Sequence, residues 1–247
     1  MKCYFSSMTK RLRFLALSTL VITATTCLTP SARADEAADR ILEGVRLSAT
    51  LQQSNLTGHL RKNGARSQIA LFLRGENIQF QYFDGKQWQK FHMRLKKDQF
   101  DLFELKNGKT LKFPDSKLSQ AVMGTDLTYE DLAFRFLYWP NAKIEGEETI
   151  KTQKCHKIRL VNPGRGGSYG IVYIWVHQKY GALMQVAGYN RAGQLLKRFH
   201  VTNTMKVGDV QTLEKMNVET YKLGTEKVIG ITYMEFDKPK AVKKGLR

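Results

Sequence analysis

The chain of 247 residues has only three cysteines and five prolines, and 22 acidic residues against 40 basic ones. Cys3 and Cys27 fall before residue 35, so beyond that point Cys155 stands alone and no intramolecular disulfide can hold the fold. None of the five histidines (His59, His92, His156, His177, His200) forms an H-x-x-x-H pair, and Cys155 and His156, as neighbours on a strand, point to opposite faces. This pattern supports neither a metal site nor a cofactor. A helix that spans a bilayer needs about 20 predominantly apolar residues, and the uncharged stretch near the start, Phe14 to Leu28, is shorter and rich in Thr and Ser. No long linker, low-complexity segment or internal repeat interrupts the chain.

The start of the chain has the pattern of an export signal. Lys2, Lys10, Arg11 and Arg13 precede the uncharged stretch, and Ala32-Arg33-Ala34 fits the A-x-A cleavage pattern ahead of Asp35. Residues 1–34 are therefore expected to be a signal peptide cleaved after Ala34, with 35–247 as a single exported domain in the periplasm. A lipid anchor at Cys27 is the minor alternative, because Ala24-Thr25-Thr26 fits a lipobox poorly. The net charge is +18 and five of the basic residues belong to the leader, so the exported part stays strongly basic. An exported protein rarely meets nucleic acid. A transient contact with an anionic membrane surface or a membrane transporter is the nearer expectation, beside a merely soluble basic surface. The tail from Lys238 to Arg247 is expected to be a solvated end.

Periodicity divides the rest. Glu36 to Leu51 repeats Ile41, Leu42, Val45 and Leu51 at helical spacing, which predicts one amphipathic helix. From Leu56 the period becomes two, with turn signals at Asn63-Gly64, Gly75-Glu76-Asn77, Asp84-Gly85 and Asn107-Gly108, as in an antiparallel meander. Alternation places Ile69, Leu71, Leu73, Phe80, Tyr82, Phe91 and Met93 on its inner face. In mid-chain, Thr128 and Asp131 have the spacing of a weak capping box, and Leu127 and Leu132 that of a hydrophobic staple. Tyr129, Leu132, Ala133, Phe136 and Leu137 form an apolar stripe, so one helix over 128–137, stopped by Pro140, is expected to cover the sheet as a mobile lid. A second set of strands begins near Ile144. About ten antiparallel strands cannot stay open and flat, so the sheet should curl. The fold class is mainly β with helices (α+β): a curled antiparallel sheet, or unclosed barrel, covered by an N-terminal helix and the mid-chain lid.

Gly166-Gly167-Ser168-Tyr169-Gly170 spells G-x-S-x-G, but a nucleophile elbow needs a strand before the Ser and a helix after it, and a β-rich run follows here. Glu145, Glu147 and Glu148 cluster near an expected turn and read as a solvated edge. Trp88, Trp139 and Trp175 are expected in the core. The chain is therefore expected to be no enzyme, with no catalytic residue.

The run Gly124-Thr125-Asp126-Leu127-Thr128-Tyr129-Glu130-Asp131-Leu132 resembles the mid-chain motif of the outer-membrane lipoprotein-sorting family of LolA/LolB-like proteins. Gly170 to Val176, and Tyr189-Asn190-Arg191-Ala192-Gly193, resemble its later part. The resemblance implies an unclosed antiparallel barrel with helices as a lid and an apolar cavity for acyl chains. The implied function is a non-catalytic periplasmic carrier of lipid or lipoprotein acyl chains towards the outer membrane. An envelope-stress sensing module of the same fold, acting on a protein partner, is the alternative. The expected cavity lining is Ile69, Leu71, Leu73, Phe80, Tyr82, Phe91 and Met93, with Leu132 and Phe136 from the lid. Gly124, Asp126, Thr128, Tyr129, Glu130 and Asp131 are expected to act structurally, with Asp126 holding backbone amides.

Overall fold

The computed structural model describes residues 35–50, 53–95, 100–106, 108–207 and 210–238. The leader, Cys27 and the tail from residue 239 lie outside the described residues.

Helix α1 (Glu36–Thr50) starts where Asp35 accepts hydrogen bonds from the N–H groups of Ala37 and Ala38 at 3.1 and 3.4 Å. The same carboxylate accepts the N–H of Ile144 at 3.2 Å. That bond, together with the helix amides, holds its pKa below the ordinary carboxylate value against a small desolvation cost. Ala38, Leu42 and Val45 make the buried face, as the period predicts.

Two meanders follow. The first is β1 (Gln53–Lys62), β2 (Ala65–Arg74), β3 (Asn77–Phe83), β4 (Trp88–Leu95), β5 (Phe100–Lys106) and β6 (Lys109–Lys112). Residues 113–142 then cross over, carrying a 3₁₀ turn (Asp115–Lys117), the short helix α2 (Tyr129–Ala133) and a second 3₁₀ turn (Arg135–Tyr138). The second meander is β7 (Lys143–Ile150), β8 (Gln153–Val161), β9 (Ile171–His177), β10 (Leu183–Tyr189), β11 (Leu195–Val207), β12 (Val210–Tyr221) and β13 (Val228–Phe236). The strands number thirteen where about ten were expected.

All thirteen strands form one antiparallel sheet in the order β6-β5-β4-β3-β2-β1-β13-β12-β11-β10-β9-β8-β7. Every neighbour is a hairpin partner except at one seam, where β1 pairs β13 through Gly58 opposite Phe236 and Leu60 opposite Met234. The seam requires glycine at 58: a Cβ there would lie 2.1 Å from the Glu235 carbonyl oxygen. Among the described residues the outer strands β6 and β7 pair with only one neighbour each, so the sheet curls without closing. Asn63 and Gly64, both at positive φ (48° and 81°), make the two-residue β1–β2 hairpin turn that an Asn-Gly pair favours.

One apolar core fills the concave face, drawing on α1, both meanders and the crossover. A smaller cluster of Cys155, Trp175 and Ala187, flanked by Tyr173 and Tyr189, sits on the opposite face of β8–β10. Glu145, Glu147 and Glu148 lie within edge strand β7, where a bulge near Gly146 shifts the register, and not at a turn.

Candidate functional site

The crossover is the functional candidate because it is the one long connection laid over the concave face. Its loop is built locally. The Leu127 carbonyl accepts the Val122 N–H at 2.7 Å, Met123 and Gly124 take positive φ (56° and 67°), and Ala121 bridges Thr128. The capping box is complete: Thr128 Oγ1 accepts the Asp131 N–H at 3.3 Å, and Asp131 Oδ2 accepts the Thr128 N–H at 2.7 Å.

The expected single helix over 128–137 is absent. Phe134 turns left-handed (φ 45°, ψ 35°), ends α2 after five residues, and restarts the chain as a 3₁₀ turn. Such a backbone costs a bulky residue about 1–3 kcal/mol. Ring contacts of Phe134 with Phe136 (5.7 Å) and Phe199 (6.5 Å) offset it. Trp139 is already extended (φ −72°, ψ 140°), as a residue before proline prefers. Leu132, Ala133, Phe136 and Leu137 are all buried, but a kink presents them, not a continuous stripe.

The motif carboxylates bolt this segment down. Asp126 accepts from Lys62 Nζ on β1 (3.1 Å), Thr220 Oγ1 on β12 (2.9 Å) and Thr232 Oγ1 on β13 (2.8 Å), so it straddles the seam. These partners are side chains, not the backbone amides expected of Asp126. Its own N–H donates to Thr232 Oγ1. Asp131, 1 % exposed, accepts from Lys197 Nζ on β11 and from the hydroxyl of buried Tyr169. Burial and the Asp131 carboxylate push the Tyr169 phenol well above its ordinary pKa. Glu130 accepts the Ser168 N–H at 2.8 Å. Burial, opposed by that N–H and reinforced by Asp131, raises its pKa to about 7. Gly167, at φ +78°, lies so close that a Cβ would sit 2.2 Å from Glu130 Oε1. Ser168 thus stands in a loop that pins α2, and strand β9 follows it, not the helix of a nucleophile elbow.

The nine expected lining residues share one core. Leu71 is half-buried, and Ile69, Leu73, Phe80, Tyr82, Phe91, Met93, Leu132 and Phe136 are buried. Of the nine, Tyr82 and Phe91 line a cleft of about 430 Å³ between β3–β5 and the crossover. Phe80 stacks on Phe91 (5.2 Å), Phe91 meets Tyr129 edge-on (5.7 Å), and Phe113 packs on Tyr129 (4.8 Å). The hydroxyls of Tyr82 and Tyr129 bond at 2.7 Å, and burial first, then this bond, raises the Tyr82 phenol pKa. Lys117 pairs with Glu104 (2.7 Å) in the same cleft. Sequence reasoning missed Trp88, expected in the core but 40 % exposed on the cleft wall, and also Phe113 and Lys117. Trp139 and Trp175 are buried as expected. The position of Trp88 just past the Asp84-Gly85 turn, at the end of a strand, was the available signal. A second cleft of about 350 Å³ lies between the 135–139 turn and the 162–166 loop. Among the described residues, no group of three His, Cys, Asp or Glu side chains is placed to hold a metal ion.

Comparison with known proteins agrees with this architecture. Residues 83–242 match a family model described as an "uncharacterized protein" family, and no curated protein matches the chain. Among solved structures, a domain ascribed to outer membrane lipoprotein sorting from Vibrio parahaemolyticus is 14 % identical, covers 88 % of this chain and 95 % of its own, and superposes with a TM-score of 0.64. A DUF1329 family protein from Desulfovibrio piger is 13 % identical, with 83 % and 91 % covered and a TM-score of 0.61. A LolA superfamily protein from Nitrosomonas europaea is 16 % identical, with 81 % and 91 % covered and a TM-score of 0.58. The chain belongs to the family of that matched model, and its fold is the unclosed antiparallel half-barrel with helices of the LolA-like lipoprotein-sorting proteins.

Proposed function

We propose that this protein is a non-catalytic periplasmic carrier, which binds lipid or lipoprotein acyl chains against its concave face and helps move them towards the outer membrane. The observation that carries the reading is the cleft under the crossover, where the rings of Tyr82, Phe91, Phe113 and Tyr129 stand among polar side chains and join the apolar core of an unclosed sheet. Its volume of about 430 Å³ falls within the range of roughly 300–1,000 Å³ usual for small-molecule sites. The likeness to lipoprotein-sorting structures supports the same reading at the level of fold.

Shielding supplies the driving force. Each methylene withdrawn from water gains about 0.8 kcal/mol, so a cleft that deepens around one chain draws cargo from a membrane surface. Deepening requires movement of Phe113 and Tyr129, which close the cleft floor, while Asp126 and Asp131 keep the rest of the crossover seated. In this reading the receptive lid is the aromatic edge of the crossover, and residues 1–34 are the signal that exports the chain.

The test is uptake of a fluorescent fatty acid by purified protein, with mass spectrometry of lipids extracted from the native preparation. Uptake that falls in Trp88→Ala and in a charge-bearing Leu105→Lys supports the carrier. Absence of both uptake and extracted lipid would remove it. Mass measurement of the exported protein should give a chain that begins at Asp35.

A further inference from the structure

The second cleft lies on the other flank of the crossover and has a different chemistry. It is a concavity of about 350 Å³ between the 135–139 turn and the loop that joins β8 to β9. Two guanidinium groups, those of Arg135 and Arg165, line it, with the indole of Trp139 as a wall. Arg165 is exposed and has no partner among the described residues. Arg135 pairs with Asp115 at 3.7 Å, whose side chain is 75 % exposed, and its charge also acts on the buried Glu130 carboxylate; the Asp115 pair is the solvated one. So loose and solvated a pair contributes little and is easily displaced. Asp115 is the only acidic residue lining the cleft.

The loop itself is preorganised. Asn162 Nδ2 donates to the carbonyls of Gly166 (2.9 Å) and Tyr169 (2.8 Å), and its Oδ1 accepts the Gly164 N–H (2.9 Å). Arg191 donates to the Gly164 carbonyl, and Glu130 takes the Ser168 N–H. The carbonyls of Gly164, Gly166 and Tyr169 are thus occupied. Among the described residues, nothing accepts the N–H groups of Arg165 and Gly166. A braced glycine-rich turn with uncommitted amides, beside two guanidinium groups, is the donor set that recognises a tetrahedral oxyanion. Arginine's planar fork suits two phosphate oxygens at once.

We propose that this cleft is a phosphate-binding site, which takes a monoester or diester phosphate presented by a phospholipid headgroup or by a soluble phosphate ester. Asp115 acts as its resident counter-charge: it occupies Arg135 in the empty state and yields it when the anion enters. The site stands on its own residues and does not require the acyl-chain cleft.

The experiment is calorimetric titration of the purified protein with inorganic phosphate and glycerol 1-phosphate, and co-sedimentation with phosphatidylcholine vesicles made with and without phosphatidylglycerol. Loss of one charged hydrogen-bond donor, in Arg165→Gln or Arg135→Gln, should weaken binding about tenfold or more. Asp115→Asn should tighten it several-fold. Asp115 and Arg165 are exposed, so both variants should keep the parent's circular dichroism and melting curve. Binding to phosphatidylglycerol vesicles that glycerol 1-phosphate competes away identifies the headgroup as the source. Binding of the small phosphates alone, with no selective sedimentation, identifies a soluble ester; both support the site. Absence of binding by every probe would overturn it. So would binding that is equal in parent, Arg165→Gln and Asp115→Asn, which is what diffuse attraction to a basic surface gives. Fatty-acid uptake should be unchanged in Arg165→Gln, so failure here and failure of the carrier reading are distinct results.

Discussion

The two meanders are built to the same plan and treat their faces differently. In the first, β1–β6, the concave side is apolar and the other side is polar, with Gln68, Gln79, Gln81 and His92 along it and an outer strand, β6, that is exposed throughout. In the second, β7–β13, the opposite face of β8–β10 is also covered, by Trp175, Tyr173 and Tyr189 around Cys155, with Lys157 over the rings of Tyr173 and Trp175. The crossover follows this asymmetry. Lys197, Tyr169 and Ser168 of the second meander hold α2 through buried charged groups, whereas the first meander packs aromatic rings against the crossover beside a cleft and adds two ion pairs, Lys62 with Asp126 and Glu104 with Lys117. Buried charge pairs resist displacement more than ring contacts do, so α2 is held more firmly than the aromatic edge of the crossover.

The sharpest way to break the comparison is to unpair Asp131. Lys197→Met leaves a carboxylate at 1 % exposure without its cation, and should cost about 3–5 kcal/mol in chemical denaturation. Gln79→Ala on the polar face of the first meander should move stability by no more than about 0.5 kcal/mol. Comparable losses would mean that the halves are not different in kind.

Glu130 gives the comparison a pH dependence. Its pKa rises from 4.5 to about 7, so the folded state holds a proton that the unfolded chain has already released. Its contribution is fully present below about pH 4.5 and is lost as pH climbs through 7. The shift corresponds to roughly 3 kcal/mol at most. Glu130→Gln keeps an acceptor for the Ser168 N–H, and should flatten the stability-versus-pH curve between pH 5 and 8 and be the more stable protein at pH 8. A curve that is unchanged would show that Glu130 is already charged when folded.

A smaller effect is expected where the first meander meets the crossover. Tyr82→Phe removes the bond to the Tyr129 hydroxyl and should cost about 1 kcal/mol, while fatty-acid uptake becomes faster as the floor loosens. Smallest on stability is Trp88→Ala, about 0.5 kcal/mol or less for a ring 40 % exposed, with its effect confined to uptake. A large loss of stability in Trp88→Ala would return this ring to the core, where its composition alone had placed it.

Much of this was legible before any tertiary structure. The helix at Glu36–Thr50, the hairpin turn at Asn63-Gly64 and the cap at Thr128 all rest on contacts within a few residues, and all are present. The lid was less legible: a stripe at 129, 132, 133, 136 and 137 reads as one helix whether or not Phe134 turns left-handed, and part of the packing around that ring comes from Phe199, far along the chain. Trp88 misled for the converse reason, since alternation reports the face of a strand and not its distance from the sheet edge.

The sequence by itself determined that the chain is β-rich, free of disulfides beyond residue 35, framed by an amphipathic helix, and divided by a capped apolar segment, because composition, periodicity and capping are local properties. Only the tertiary structure decided that β1 closes on β13, that Lys62 and Lys197 are the cations for Asp126 and Asp131, and that the crossover is flanked by one cleft towards β3–β5 and another towards the 162–166 loop. Those choices pair residues 64 to more than 170 positions apart, and burial of charge and apolar surface, which selects them, has no signature in a local pattern.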